Sequence, residues 1–169
     1  MSGTATIRRL ERADLPIYRP VRLEALRRHP EAFLAAYEDE LAEPLESYAR
    51  MIPDPPSAVF GCFVDGALVG LTGLIISPRR KVRHKGVVVS VYLDPAHRSR
   101  GAARRLVETA IEEARRVGVI SLHLSVTVGN EPAERLYRAL GFRAYGVEQR
   151  AIRVDDVYFD ERLMVLDLN

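Results

Sequence analysis

A single cysteine, Cys62, leaves this chain of 169 residues no means of closing an internal disulfide. It sits in an apolar run and reads as a small core residue rather than a nucleophile. No apolar stretch is long enough to cross a bilayer, and the start, Met1-Ser2-Gly3-Thr4, lacks the basic-then-apolar pattern of a secretory signal. A cytoplasmic protein with no membrane partner is therefore expected. Low-complexity tracts and internal repeats are also missing. The net charge of +2 is too small to argue for nucleic acid. The basic run Arg79-Arg80-Lys81 has no aromatic platform beside it, so no nucleic-acid partner is expected. The four histidines lack metal-ligand spacing, and no metal is expected. Two phosphate fingerprints are missing as well: the Gly-Lys-Ser/Thr ending of a P-loop and the three-glycine spacing of a dinucleotide site.

What is present is ordinary globular material, 47% hydrophobic and 28% charged. The length suits one domain, 1–169, with a sizeable core. The chain is organised around residues 87 to 117. Val87 to Leu93 is rich in β-branched and aromatic residues and reads as a strand. Asp94-Pro95 stops it. Arg98-Ser99-Arg100-Gly101-Ala102-Ala103 follows and opens a helix, in which Leu106, Val107, Ala110, Ile111, Ala114 and Val117 form one apolar stripe. The start of such a helix offers free N–H groups and a positive dipole end, which suit a phosphate. Gly101 lets backbone approach a ligand closely, and Ala102 and Ala103 do not obstruct it. Arg98, Arg100, Arg104 and Arg105 add positive charge around the same point. A solvated basic helix start is the plainer alternative.

The rest of the chain falls into place around this stretch. Thr4 to Leu10 predicts a first strand. Asp14 as N-cap and Pro16 in the first turn predict a helix to Arg28, ended by His29-Pro30. Glu31 to Glu43 predicts a short turn around Ala32-Phe33-Leu34, and Pro44 to Ile52 a second helix. Ala58 to Val64 and Leu68 to Ile76 predict a hairpin turned by Asp65-Gly66. Ile120 to Val126 predicts a strand, Asn130 a helix N-cap, and Gly141 the end of that helix near Leu140. Phe142 to Val154 and Val157 to Leu168 predict two last strands.

Two short patterns carry a resemblance. Arg98, Gly101 and Ala103 fill the three defined places of the acyl-CoA signature of the GNAT superfamily of N-acetyltransferases. Asn130, Ala133, Tyr137, Gly141 and Phe142 fit a second signature of that superfamily. The element order also resembles the GNAT fold from end to end. The resemblance implies a single α/β domain with a mixed, mostly antiparallel sheet flanked by helices. It implies acetyl-CoA as co-substrate, held by Arg98, Ser99, Arg100, Gly101, Ala102, Ala103 and Arg104 at its pyrophosphate. The strand backbone at Val91, Tyr92 and Leu93 would pair with the pantetheine arm like an added strand. Asn130 would contact that arm, and Tyr137 would serve as acid to the departing thiolate. Periodicity alone places Tyr137 in the core; the resemblance reverses that order.

The implied activity is transfer of an acetyl group to a primary amine by direct attack through a tetrahedral intermediate. A general base helps, because the attacking amine must first lose its proton. In histone acetyltransferases a Glu lies early on the central strand, where this chain has Val87. In ribosomal-protein N-terminal acetyltransferases a Glu precedes the Asn by five residues, where this chain has Ser125. The remaining candidates are Glu161 and Asp160, with His84 and His123 behind them. A solvated turn is the competing account of the two carboxylates, and His29 and His97 read as surface groups. Tyr18, Arg22, Phe33, Tyr37, Tyr48, Arg150 and Tyr158 stand in segments that usually wall the acceptor site. The acidic run from Glu38 to Glu46 reads first as solvated surface. A catalytically silent CoA-binding domain is the alternative function, and a homodimer is expected from the resemblance alone.

Overall fold

The computed structural model describes residues 5–169. Seven strands form one sheet in the order β1-β2-β3-β4-β5-β7-β6. They are β1 (Thr6–Arg9), β2 (Ala58–Val64), β3 (Ala67–Ile76), β4 (Lys85–Leu93), β5 (Ser121–Thr127), β6 (Arg143–Val154) and β7 (Val157–Asp167). Four α-helices flank them: α1 (Leu15–Arg28), α2 (Tyr37–Ala42), α3 (Ala102–Arg116) and α4 (Glu131–Ala139). All neighbouring strands are antiparallel except β4 and β5. This is the α/β, mostly antiparallel mixed sheet that the resemblance implies.

The amphipathic stripe of α3 explains one layer. Val107, Ala110, Ile111 and Ala114 are buried against one sheet face, with Leu74, Val88, Leu122 and Met164 in the largest apolar cluster, and Leu106 is buried beside them with Phe60 and Cys62. Cys62 is fully buried on the same side, beside Phe60 and Ala102, and burial pushes its thiol pKa up. Helix α1 covers the other face through Tyr18, Ala25 and Leu26.

Three expectations change. Asp14 does not cap α1: it has helical backbone angles, and its carboxylate turns back to Arg8 (2.8 Å to both oxygens) and to the N–H of Glu11 (2.8 Å). A nearby guanidinium outcompetes the helix N–H groups, and that hydrogen bond holds the Asp14 carboxyl below the usual carboxylate range. The predicted helix at Pro44–Ile52 is a 3-10 helix, Leu45–Met51. A further short helix, α2, forms where only a turn around Ala32 was expected. Thr4, assigned to the first strand from the sequence, lies outside the described residues.

Candidate active site

The central feature is a gap in the sheet. β4 and β5 pair only through Lys85, Gly86 and Val87 with Ser121, Leu122 and His123. Beyond that point β4 is bonded to β3 alone and β5 to β7 alone, up to Leu93 and Thr127 respectively. Backbone groups from Val88 to Leu93 on the gap side are thus left without a strand partner. Such an edge can accept an extended polar ligand as an added strand.

A bulge accompanies the divergence. Gly73 is opposite Val89 and Leu71 is opposite Tyr92, so Ser90 and Val91 together face the one residue Thr72. Ser90 takes a left-handed backbone angle, φ 55°. A bulge bends its strand, which is the local change that turns β4 away from β5. The extra residue also puts Val89 and Ser90 side by side along one cavity on the α1 face.

Arg22 of α1 fixes this irregular turn. Its Nη1 donates to Ser90 Oγ at 2.9 Å, while Nε and Nη2 donate to the two Glu40 carboxylate oxygens at 3.0 and 2.8 Å. Both charged side chains are buried, and the guanidinium lies 5.2 Å from the Phe33 ring centre. The Tyr48 hydroxyl donates to the Glu40 backbone oxygen at 2.7 Å. Glu40 is therefore not part of a solvated acidic surface, as the charge run suggested. Ser90 was missed from the sequence; its one signal is that it is the only polar residue in Val87–Leu93.

At the end of β4 the chain passes through a 3-10 turn, Pro95–Arg100, to Gly101. Gly101 has φ 70°, and a Cβ there would meet no atom within 4 Å, so conformation rather than space calls for glycine. Helix α3 starts at Ala102 with no side-chain cap and no acidic residue in its first turn. Its leading N–H groups and dipole therefore face outward uncompensated, which fits an anionic ligand. Arg98 stands beside this start, its Nε donating to Leu93 O at 3.0 Å and its Nη2 lying 3.0 Å from His29 Nε2. His29 is thus no free surface group; burial and the Arg98 charge lower its pKa. Arg104 is paired with Glu108 at 2.7 Å. The side chains of Ser99 and Arg100 lie outside the described residues.

Helix α4 contributes the other two predicted residues. Asn130 caps it, its side-chain oxygen accepting from Ala133 N at 3.3 Å. That leaves the amide NH2 without a protein partner among the described residues. Tyr137 is buried with Val88 of β4 and Val126 of β5, and its ring meets Phe142 edge-on at 6.0 Å. The hydroxyl has no protein partner among the described residues, and burial pushes its pKa up to about 12.

Of the two carboxylates, Asp160 is occupied: it accepts from Arg150 N at 2.8 Å and shapes the β6–β7 hairpin. Glu161 is half-buried, opposite Thr127 on β5, with no side-chain partner among the described residues. Thr127 Oγ1 bonds to Glu31 O at 3.0 Å, so this face carries the segment that follows α1. His123 points to the same face, bonded to Ser121 Oγ at 2.8 Å and edge-on to Tyr145. Among the described residues no three His, Cys, Asp or Glu side chains gather as a metal site. No helix among them is long and apolar enough to span a membrane.

An uncapped helix start beside an unpaired strand edge suits an extended, phosphate-bearing ligand. Comparison with known proteins gives the chain a family. The profile of the acetyltransferase (GNAT) family matches residues 11–142, and the chain belongs to that family. N-alpha-acetyltransferase RimI of Mycobacterium tuberculosis is 33% identical over 111 residues, covering 66% of this chain and 68% of its own. A GNAT-family acetyltransferase from Streptococcus pneumoniae superposes with a TM-score of 0.80 at 22% identity, covering 98% of this chain and all of its own. A Salmonella typhimurium acetyltransferase solved with its cofactor acetyl-CoA superposes at 0.77 with 24% identity, covering 98% of this chain and 94% of its own. The chain is an acetyl-CoA-dependent N-acetyltransferase, and the catalytically silent alternative finds no support among these relatives.

Proposed function

We propose that residues 1–169 form one N-acetyltransferase domain acting on a primary amine in the cytoplasm, with the pantetheine arm of acetyl-CoA lying along β4 in the β4–β5 gap. The observation that carries this is the loss of β4–β5 pairing after Val87 and His123. The pyrophosphate would rest on the N–H groups of Ala102, Ala103 and Arg104, with Arg98 alongside. Asn130, its oxygen used as a cap, would donate from its NH2 to the arm. A homodimer is carried over from the resemblance; the exposed Tyr145 and Val147 on the edge strand β6 support it.

Acetyl-CoA supplies an activated thioester. The amine must reach it neutral, and Glu161 is the carboxylate free to take its proton. Charge that develops on the carbonyl oxygen is met by an unpaired N–H of β4. Tyr137, kept protonated by burial, donates its proton to the departing thiolate.

The test is release of free CoA thiol from acetyl-CoA across a panel of amines, with Tyr137→Phe in parallel. Acceptor-dependent release that falls ~100-fold in the variant supports the assignment. Unchanged turnover in Tyr137→Phe removes Tyr137 from the chemistry.

A further inference from the structure

A half-open cavity of about 170 Å³ lies between α1 and the sheet, and two of its walls are the bulge residues Val89 and Ser90. It therefore adjoins the stretch of β4 where the reacting carbonyl would sit. The other walls are apolar: Met51, Val59, Leu71 and Ile75. Tyr18 and Arg22, both buried, supply the polar part of the lining. The Tyr18 hydroxyl has no partner among the described residues, and burial pushes its pKa up to about 12, so it is a neutral donor. Arg22 is neutralised by Glu40 and keeps N–H groups to spare, since three of its five are used.

Size and charge narrow the occupant. Sites that enclose a drug-sized ligand run to roughly 300–1,000 Å³, so this cavity holds one compact group and not a whole aminoglycoside-like molecule. None of its lining residues is Asp or Glu, so nothing in it compensates a second ammonium. Ile75 is 40% exposed, which leaves the rim open to solvent on the α1 face and lets an acceptor enter there.

We infer that the acceptor is an amine bearing a compact, uncharged apolar group next to it, and that this group fills the cavity below the β4 bulge while the amine meets the thioester. The inference rests on the reading of the β4–β5 gap given above. It excludes polyamines as good acceptors, because each would bring a second charge into an apolar cavity. Tyr18 and Arg22 would receive a carbonyl oxygen adjoining the apolar group.

The experiment measures kcat/KM with saturating acetyl-CoA for six amides: those of leucine, methionine, phenylalanine, serine, aspartate and lysine. The first three are expected to exceed the last three by about tenfold or more, the discrimination one apolar group gives in a fitted pocket. Ile75→Glu, at the exposed rim, is expected to lower kcat/KM for the apolar three by a similar factor and to leave the KM for acetyl-CoA unchanged. Equal or better use of the polar three overturns the inference, as does an Ile75→Glu protein with unaltered preferences. A steep preference for butyryl-CoA over acetyl-CoA that Ile75→Glu abolishes would assign the cavity to the acyl chain and overturn it too. Turnover of none of the six overturns it as well. Calorimetric binding of acetyl-CoA then decides separately whether the reading of the gap falls with it.

Discussion

Arg22 on α1 and Ser90 on β4, 68 residues apart in sequence, are joined by a 2.9 Å hydrogen bond between guanidinium and hydroxyl. The bond ties α1 to the bulge that parts β4 from β5. Removing Arg22 has two separable effects. Arg22→Met leaves Glu40 buried without its cation, and a loss of about 3–5 kcal/mol of stability is expected in urea denaturation. Adding Glu40→Leu should restore most of that stability, yet kcat should stay low because Ser90 has lost its anchor. A double variant with normal kcat would show that the bulge needs no support from α1.

Tyr137 and Tyr18 make alkaline stability a test of burial. Both phenols are raised to about 12 in the folded protein, above the unfolded value near 10. The folded state therefore keeps protons that the unfolded state releases between those two values. Stability is full below pH 10 and falls as pH rises to 12, by up to about 1.4 kcal/mol per unit for each tyrosine. In Tyr137→Phe one of the two contributions is gone, so the fall is shallower. Parallel pH profiles for the variant and the parent would contradict the burial argument.

How much of this was legible beforehand depends on the range of the interaction. The runs around β2, β3, α3 and α4 announce themselves through local periodicity, the Asp65-Gly66 turn and the Asn130 cap, and their positions agree within a residue or two. The loop at Arg98–Ala103 was also readable, because a helix start is a local feature. The Arg22–Glu40 pair was not: Glu40 sits in an acidic run that looks solvated, and only tertiary contact reveals its cation. Asp14 misled for a related reason, since its competing partner, Arg8, belongs to a strand whose position sequence spacing does not give. The left-handed Ser90 had no propensity signal at all, because serine rarely takes positive φ.

Asn130 has a structural duty that must be separated from its proposed one. Asp is as good an N-cap as Asn, whereas Ala is not. Asn130→Ala is expected to lose about 1 kcal/mol of stability and to raise the KM for acetyl-CoA. Asn130→Asp should keep the stability and still raise that KM, because it lacks the NH2 donor. If Asn130→Asp left the KM untouched, the residue would be a cap and nothing more.

Gly101 turns the chain into α3 at φ 70° with free space around it. A side chain there is strained by its backbone alone. Gly101→Val is expected to weaken acetyl-CoA binding at least tenfold, as measured by calorimetry, while helix content by circular dichroism stays the same. Undiminished affinity would mean that the helix start is not where the pyrophosphate rests.

The Glu161 carboxylate is half-buried and has neither a side-chain nor a backbone hydrogen-bond partner among the described residues. Glu161→Gln is expected to lower kcat/KM about 100-fold at neutral pH, with recovery as pH rises and more of the amine is neutral on its own. A uniform loss at every pH would point to a binding role instead.

The claim beneath all of these is that acetyl-CoA lies along β4 in the gap and ends at the start of α3. Amide hydrogen exchange, resolved by residue, with and without saturating acetyl-CoA tests it directly. Slowed exchange at the gap-side amides of Val88 to Leu93 and at Ala102 to Arg104 is the predicted result. Binding without added protection at either stretch would contradict the account.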